Sequence, residues 1–180
     1  MSAAATPLAT SSRKREQKKD VHTISLFVKN EPGVLVRVAM VFSRRGYNIE
    51  SLVVSPAARD GFSRMTITSS GDPAILEQMI KQLAKLVDVV RAIDHTHDDA
   101  YETEIALLKL RCSPEERSEI LQIAEHFNAK VVDYGRNSVV LRVYGSSEKL
   151  DAMTALLRGF DVAELVRTGK ILMARGIGAT

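Results

Sequence analysis

Hydrophobic residues in the first half of the chain recur at the spacings of strands and helices. Ile24, Leu26 and Val28 alternate with Ser25, Phe27 and Lys29, which predicts a half-buried strand. In the next segment, apolar residues recur every three or four positions, which is typical of an amphipathic helix. Its predicted apolar stripe consists of Leu35, Val38, Ala39 and Phe42. Gly46 stands where a glycine commonly ends a helix.

Two strands, a helix and a final strand follow in this first half. Residues 47–56 and a segment around Met65 are predicted to be strands. Asp72-Pro73 predicts a helix start, because aspartate caps helices and proline fits the first helical position. The helix has an apolar stripe of Leu76, Met79, Ile80 and Leu83. Residues 87–93 are again strand-like, so the predicted order is βαββαβ.

The same pattern recurs after a polar stretch, residues 95–103, which we interpret as a linker. Residues 105–110 are strand-like, and Ser113-Pro114-Glu115-Glu116 is a capping box that opens a helix. The inward residues of this helix are predicted to be Ile120, Ile123, Ala124 and Phe127. The remaining predicted elements are a hairpin of residues 130–134 and 138–144, a helix near 147–158, and a last strand within 162–173.

The pattern predicts an α+β protein of two ferredoxin-like βαββαβ units, each of about 75 residues. The first unit is assigned to residues 21–97, a linker to 98–103 and the second unit to 104–176. Residues 1–20 form a polar tail that is expected to be disordered, because it lacks the apolar residues that a core needs. An organelle-targeting peptide is the alternative for this tail, although its acidic residues argue against it.

Charge lies in the tail rather than in the folded body. The tail has a net charge of +3, and so has the whole chain, which leaves residues 21–180 neutral. Nucleic-acid binding proteins concentrate basic charge on the folded domain, and the third strand keeps only Phe62 of the aromatic pattern of RNA-recognition domains. We therefore expect no nucleic-acid partner. A run of about 20 apolar residues, as in a membrane helix, is absent too.

The chain shows no sequence motif of an enzyme. Cys112, the only cysteine, is predicted to be a small buried hydrophobic residue. Residues 95–99 (His-Thr-His-Asp-Asp) are the one cluster with metal-ligand chemistry, but two imidazoles and mobile carboxylates do not close a metal site. We interpret them as part of a solvated linker. His22 and His126 have no predicted partner.

The turn Asn30-Glu31-Pro32-Gly33 leads directly into the first helix and allows two interpretations. The free N–H groups and positive dipole of a helix N-terminus attract carboxylates, and Gly33 would allow close approach to the backbone. The Asn30 amide can meet either a carboxylate or an ammonium group, and a free amino acid carries both. In the alternative, Asn30 merely caps the helix and Pro32 stiffens the turn. The residues themselves leave both interpretations open.

Longer stretches of the sequence resemble a known family. The first unit resembles the ACT domain, a small amino-acid-sensing module. More narrowly, it is similar to the regulatory small subunit of acetohydroxyacid synthase, also called acetolactate synthase. The similar stretches are "NEPGVLVRVAMVFSRRGYNIESLVVSP", "FSRMTITSSGD", "LEQMIKQLAKLVDVVRAIDH" and, in the second unit, "KLDAMTALLRGFDVAELVRTGKILMARG". The resemblance covers about residues 21–176.

This resemblance implies a regulatory subunit without catalytic residues, metal or cofactor of its own. It implies a catalytic large subunit as partner, which carries thiamine diphosphate, FAD and magnesium and becomes more active and valine-sensitive on binding. Valine is expected between the ACT domains of a homodimer. The implied effector-binding residues are Asn30, Gly33, Val34 and Leu35 of one chain, with Asn48 and Ile49 of its partner.

Two alternatives accompany this assignment. In the first, Asn48 is only a turn residue that tolerates unusual backbone angles. In the second, the whole chain is a free-standing ACT sensor that regulates another enzyme. The second unit lacks a glycine at its first helix mouth and is expected to bind no amino acid, but to support assembly and transmit inhibition. The expected location is the cytoplasm.

Overall fold

The computed structural model describes residues 21–178 and residue 180, so the predicted tail of residues 1–20 lies outside it. The first unit has the order βαββαβ. Its elements are β1 (Val21–Lys29), α1 (Val34–Arg44), β2 (Ile49–Pro56), β3 (Phe62–Ser70), α2 (Pro73–Leu83) and β4 (Val89–Asp94).

The four strands of the first unit form one antiparallel sheet in the order β2-β3-β1-β4. The alternation of apolar residues in β1 turns Ile24, Leu26 and Val28 to one face, where they pack with residues of both helices. The core cluster also contains Val34, Val38, Phe42, Met65, Ile67, Leu76, Met79, Leu83 and Val89. The opposite face of the sheet carries more polar side chains, including Ser25 and Thr23.

The second unit repeats this order and adds one strand. Its elements are β5 (Ala100–Arg111), α3 (Pro114–His126), β6 (Lys130–Tyr134), β7 (Ser138–Gly145), α4 (Ser147–Leu157), β8 (Asp161–Arg167) and β9 (Ile171–Ala174). The sheet order is β6-β7-β5-β8, and β9 pairs with the start of β5. The predicted α+β class with two ferredoxin-like units is therefore confirmed.

Local sequence signals explain the helix ends. The Asp72 carboxylate accepts a hydrogen bond from the Ala74 N–H at 2.8 Å, as predicted for a cap. Gly46 ends α1 with φ 69°. Its N–H donates to the Ser43 carbonyl, and the next N–H reaches back to Phe42, both at 3.1 Å. This pair of bonds is the Schellman motif, so the predicted role of Gly46 is confirmed.

One predicted core position in α1 is wrong. Leu35 is 41% exposed, whereas Val34, Val38 and Phe42 are buried. The helix begins at Val34 and turns every fourth residue from there toward the sheet, so Leu35 lies about 100° further round the helix. Cys112 is buried in the core of the second unit, as predicted.

Two predictions about extended segments are also wrong. Within the predicted linker 98–103, residues 100–103 belong to β5 because β9 supplies an antiparallel partner, from Ala100↔Ala174 to Thr103↔Ile171. The single strand predicted within 162–173 is two strands, β8 and β9. Gly169 separates them with φ 85°, a left-handed conformation that breaks the extended backbone.

The end of the second unit packs on the outer face of the first sheet. A Cβ atom on Gly169 would lie only 2.6 Å from the Cβ and Oγ atoms of Ser51 in β2. The neighbouring Lys170 ammonium lies 2.7 Å from the Glu102 carboxylate and donates to the Thr23 hydroxyl at 3.4 Å. The two units are therefore held together by packing and side-chain contacts, in addition to the polypeptide that links them.

Candidate functional site

The turn before α1 is a type II β-turn of residues 31–34. Pro32 takes its second position and Gly33 its third, with φ 84° and ψ −8°, as this turn type requires. The Val34 N–H reaches the Glu31 carbonyl at 3.4 Å. Proline and glycine are thus needed for the turn itself, and the hydrogen bond of the turn uses only the first N–H group of the helix.

The N-terminus of α1 is open. Its N-cap is Gly33, no side chain caps it, and its first turn contains no acidic residue. The first helical bond runs from the Arg37 N–H to the Gly33 carbonyl at 3.1 Å. Within residues 21–178 and residue 180, the N–H groups of Leu35 and Val36 have no acceptor, as expected at a helix start.

Asn30 does not cap the helix, so the plain structural interpretation of this residue is wrong. Its backbone N–H donates to the Gly61 carbonyl at 2.9 Å, which fixes the turn to the β2–β3 connection. Its side chain is exposed and has no hydrogen-bond partner in the described part of the chain. The Asn30 amide is therefore available to a ligand at the open helix end.

A guanidinium lies beside this helix end. The Arg37 Nε–H donates to the Asp88 carboxylate at 2.6 Å, and the Asp88 side chain is only 6% exposed. The Arg37 Nη1 atom lies 3.2 Å from the place where a Cβ on Gly33 would stand. Residue spacing carried no signal for the ion pair of Arg37 with Asp88, 51 residues away.

Asn48 and Ile49 lie at the other end of the same sheet. In the strand register, Lys29 at the end of β1 faces Phe62, whereas Ile49 at the start of β2 faces Ser69. Seven residues of β3 separate these positions, which is roughly 23 Å at about 3.3 Å per residue. One chain therefore brings together Asn30, Gly33, Val34 and Leu35, but it does not bring Asn48 to them.

Asn48 has no unusual backbone angle. Among the described residues, Asn128 is the non-glycine residue with positive φ, so the turn interpretation of Asn48 is wrong. The Asn48 carbonyl accepts a hydrogen bond from the Ser69 hydroxyl at 2.8 Å, and its side chain is exposed. The Asn48 side chain is therefore neither buried nor needed for an unusual backbone angle, so the isolated chain gives it no structural role.

The histidines near the linker are structural. His95, predicted to be solvated, is buried, because its ring lies between the Ser25 hydroxyl at 2.8 Å and the Asp98 carboxylate at 2.9 Å. His22, predicted to be unpaired, is also buried and bonds to the Gly71 carbonyl at 3.1 Å. In the described ranges, no group of three or more His, Cys, Asp or Glu side chains is arranged to hold a metal ion.

None of the helices in the described part of the chain combines the length and the apolar character needed to cross a membrane. A cleft of about 400 Å³ beside His95 lies between the two units. It is lined by Thr23, His95, Glu102, Lys170 and neighbouring residues, and it does not include the α1 helix end.

Comparison with known proteins gives one family for both units. A model described as "AHAS small subunit-like ACT domain" matches residues 24–91, and one described as "Small subunit of acetolactate synthase" matches residues 103–176. A probable acetolactate synthase small subunit of Archaeoglobus fulgidus is 44% identical over 155 residues, which are 86% of this chain and 97% of that relative. The acetolactate synthase small subunit of Aquifex aeolicus is 41% identical over 91% of this chain and 87% of its own length.

A solved structure agrees with these relatives. The acetolactate synthase small subunit of Thermotoga maritima superimposes with a TM-score of 0.79 at 37% sequence identity. The match covers 88% of this chain and 99% of that structure. Both units, their order and nearly the full length of the relatives are thus shared, and the chain belongs to the acetolactate synthase small-subunit family, with an ACT domain as its first unit.

Proposed function

We propose that this chain is the regulatory subunit of an acetolactate synthase, that it activates the catalytic large subunit, and that it makes that subunit sensitive to valine. The observation that carries this proposal is the open N-terminus of α1 in the ACT domain. The thiamine diphosphate, FAD and magnesium of the reaction would then belong to the large subunit. This chain would contribute the effector site and the contacts that transmit inhibition.

The open helix end suits the carboxylate of an amino acid. The N–H groups of Leu35 and Val36 point out of the helix start, and the positive end of the helix dipole favours an anion there. The exposed Asn30 amide offers an acceptor for the ammonium group. Leu35, Val36 and Met40 are exposed apolar residues of α1 and provide surface for a small aliphatic side chain.

Asn48 and Ile49 join this site from a second chain. Strand β2 is an edge of the first sheet, and an edge strand offers unpaired backbone groups to another copy. A two-fold axis normal to the sheet pairs β2 with its copy in antiparallel fashion. The start of one β2 then lies at the end of the other, which is the sheet end that carries Asn30 and Gly33.

This arrangement predicts two identical sites in each dimer and a graded specificity. One methylene in an apolar pocket changes binding by only about 1–3 kcal/mol. Valine is therefore expected to bind most tightly, leucine and isoleucine more weakly, and charged amino acids not at all. A free-standing ACT sensor would share the site but not the partner.

Reconstitution tests the function. Purified large subunit is assayed for acetolactate formation alone, with this chain, and with this chain plus valine. We expect activation by this chain and inhibition by valine only when the chain is present. A large subunit that is neither bound nor activated would leave the free-standing sensor, and activation without valine inhibition would remove valine as the effector.

A further inference from the structure

Arg37 and Asp88 form a charged pair at the open end of α1. Arg37 stands in the first turn of the helix, and Asp88 lies just before β4, where its backbone carbonyl accepts a hydrogen bond from the Lys29 N–H at 2.9 Å. The Asp88 side chain is buried and receives the Arg37 Nε–H at 2.6 Å. A buried carboxylate that is fixed at both its backbone and its side chain holds the guanidinium in a defined place.

The pair uses only one edge of the guanidinium. Among the described residues, the hydrogen-bond partner of Arg37 is Asp88, through Nε. The Nη1 atom is turned toward Gly33, with 3.2 Å to the position of a Cβ there, and the Arg37 side chain remains 43% exposed. A guanidinium has five N–H donors in a planar fork, so Nη1 and Nη2 keep donors for a second anion.

We propose that Arg37 binds the carboxylate of the amino-acid effector, and that Asp88 is the residue that positions it. This inference rests on the proposed function, because it names a further residue of the same effector site. The carboxylate lies between the N–H groups of the first helical turn and the Arg37 fork. Glycine at position 33 is then required twice, for the positive φ of the turn and for the space in front of Nη1.

The proposed role of Arg37 predicts which chemical group of the effector is recognised. The site recognises the negative charge of the effector, rather than its shape alone, because a guanidinium and the helix dipole both act on that charge. An amino-acid amide keeps the ammonium group and the side chain but has no carboxylate. Arg37 should therefore add no affinity for such an amide, so the amide should bind about equally well with and without the arginine.

Calorimetry of the full chain with L-valine and L-valinamide at neutral pH tests this role. Hydrogen bonds to charged groups are worth about 10- to 100-fold in affinity. In Arg37→Gln we expect valine affinity to fall by that factor, while valinamide affinity stays within about threefold of its wild-type value. The preference for valine over valinamide therefore collapses. An equal loss for both ligands, or an unchanged preference, would overturn the role of Arg37.

Two further variants separate binding from folding. Arg37→Gln leaves Asp88 buried without its partner, which destabilises a protein, so the double variant Arg37→Gln/Asp88→Asn removes both charges. It should keep the thermal stability closer to wild type and still lack the valine preference; a wild-type preference in the double variant would contradict the proposal. Arg44→Gln removes an exposed charge from the last turn of the same helix and should leave both affinities unchanged. A wild-type chain that binds no valine at all would instead overturn the proposed function, and the inference with it.

Discussion

The first helices of the two units occupy the same place in the same fold, but their N-termini differ. The N-cap of helix α1 is Gly33, which has no capping side chain, and the first turn contains no acidic residue. The N-cap of helix α3 is Ser113, which forms a complete capping box in which the Glu116 carboxylate accepts the Ser113 N–H at 2.8 Å. Hydrogen bonds from its own backbone N–H and from the Ser113 hydroxyl hold the pKa of Glu115 below its ordinary value.

The two helix ends differ in what their N–H groups bond to. At the start of α3, the Ser113 N–H is bonded to the Glu116 carboxylate and the Glu116 N–H to the Ser113 hydroxyl, so these donors stabilise the helix end and are not free for an external anion. Helix α1 has glycine in place of a capping side chain, which costs only roughly a few tenths of a kcal/mol, and within the described part of the chain the N–H groups of Leu35 and Val36 have no acceptor. In the proposed function, the same strand-to-helix connection therefore serves stability in the second unit and effector binding in the first.

The largest effect should come from placing a carboxylate at the open end. In Gly33→Asp the new side chain stands where the effector carboxylate is expected, and two such charges repel by about 4 kcal/mol at 4 Å in a partly screened site. Arg37 offsets part of this, so we expect calorimetry to show a loss of valine affinity of at least about 100-fold.

Gly33→Asn is the matched control, because it has the same shape without the charge and asparagine tolerates positive φ. It should lose clearly less affinity than Gly33→Asp. Equal losses in the two variants would mean that space or backbone conformation, and not charge, decides binding at this position.

The next effect concerns the contact between the two units. Alanine at Gly169 brings a Cβ to 2.6 Å from Ser51, whereas alanine at Gly176 meets nothing within 4 Å although its φ is also positive, at 69°. Both variants carry similar backbone strain, and only Gly169→Ala adds the clash. Urea unfolding should show a loss that is about 1–3 kcal/mol larger for Gly169→Ala. Similar losses would show that the packing on Ser51 contributes nothing to stability.

Removal of the cap of α3 should have a smaller effect and should not touch binding. Ser113→Ala deletes the acceptor of the Glu116 N–H, which is expected to lower the free energy of unfolding by about 1 kcal/mol. Ser146→Ala, at the capped start of α4, should behave alike. Valine affinity should stay unchanged in both variants, and a drop in Ser113→Ala would mean that the second unit takes part in the effector site.

The smallest effect is that of an exposed charge at the same helix end. The lowered pKa of Glu115 means that its carboxylate stabilises the folded state above the unfolded pKa of about 4.3. This contribution is lost as the pH falls through the lowered pKa. Glu115→Gln should therefore lower the melting temperature slightly at neutral pH, and this difference from wild type should shrink as the pH falls below the unfolded pKa of about 4.3. Glu119→Gln, beyond the first turn of the same helix, is the control for removal of an exposed charge and should leave the melting temperature at neutral pH unchanged.

Much of the fold follows from signals that lie close together in the sequence. The alternation in β1, the caps at Asp72 and Ser113, and Gly46 after α1 each act over a few residues, and each predicted its element correctly. The fold class then followed from the order of the elements, because βαββαβ has few compact arrangements.

The predictions that were wrong concern contacts between residues that lie far apart in the sequence. Residues 100–103 form a strand only because β9, some 70 residues later, pairs with them. His95 is buried because it lies next to β1, where its ring is hydrogen-bonded to Ser25, 70 residues earlier in the chain. The ion pair of Arg37 and Asp88 is invisible for the same reason. The effector residues came from the family resemblance, and Asn30, Gly33, Val34, Leu35, Asn48 and Ile49 remain a prediction for this chain.

Mixed dimers test most directly whether the effector site is the open end of α1 completed by a second chain. In Gly33→Asp or Asn48→Ala homodimers, both sites contain one defective residue. In a mixed dimer of the two variants, one site combines the intact Gly33 of one chain with the intact Asn48 of the other, and the second site carries both defects. Random exchange should restore valine binding to about one quarter of the wild-type stoichiometry, because half of the dimers are mixed and each has one intact site. No recovery in verified mixed dimers, or full binding by Asn48→Ala alone, would contradict the inter-chain site.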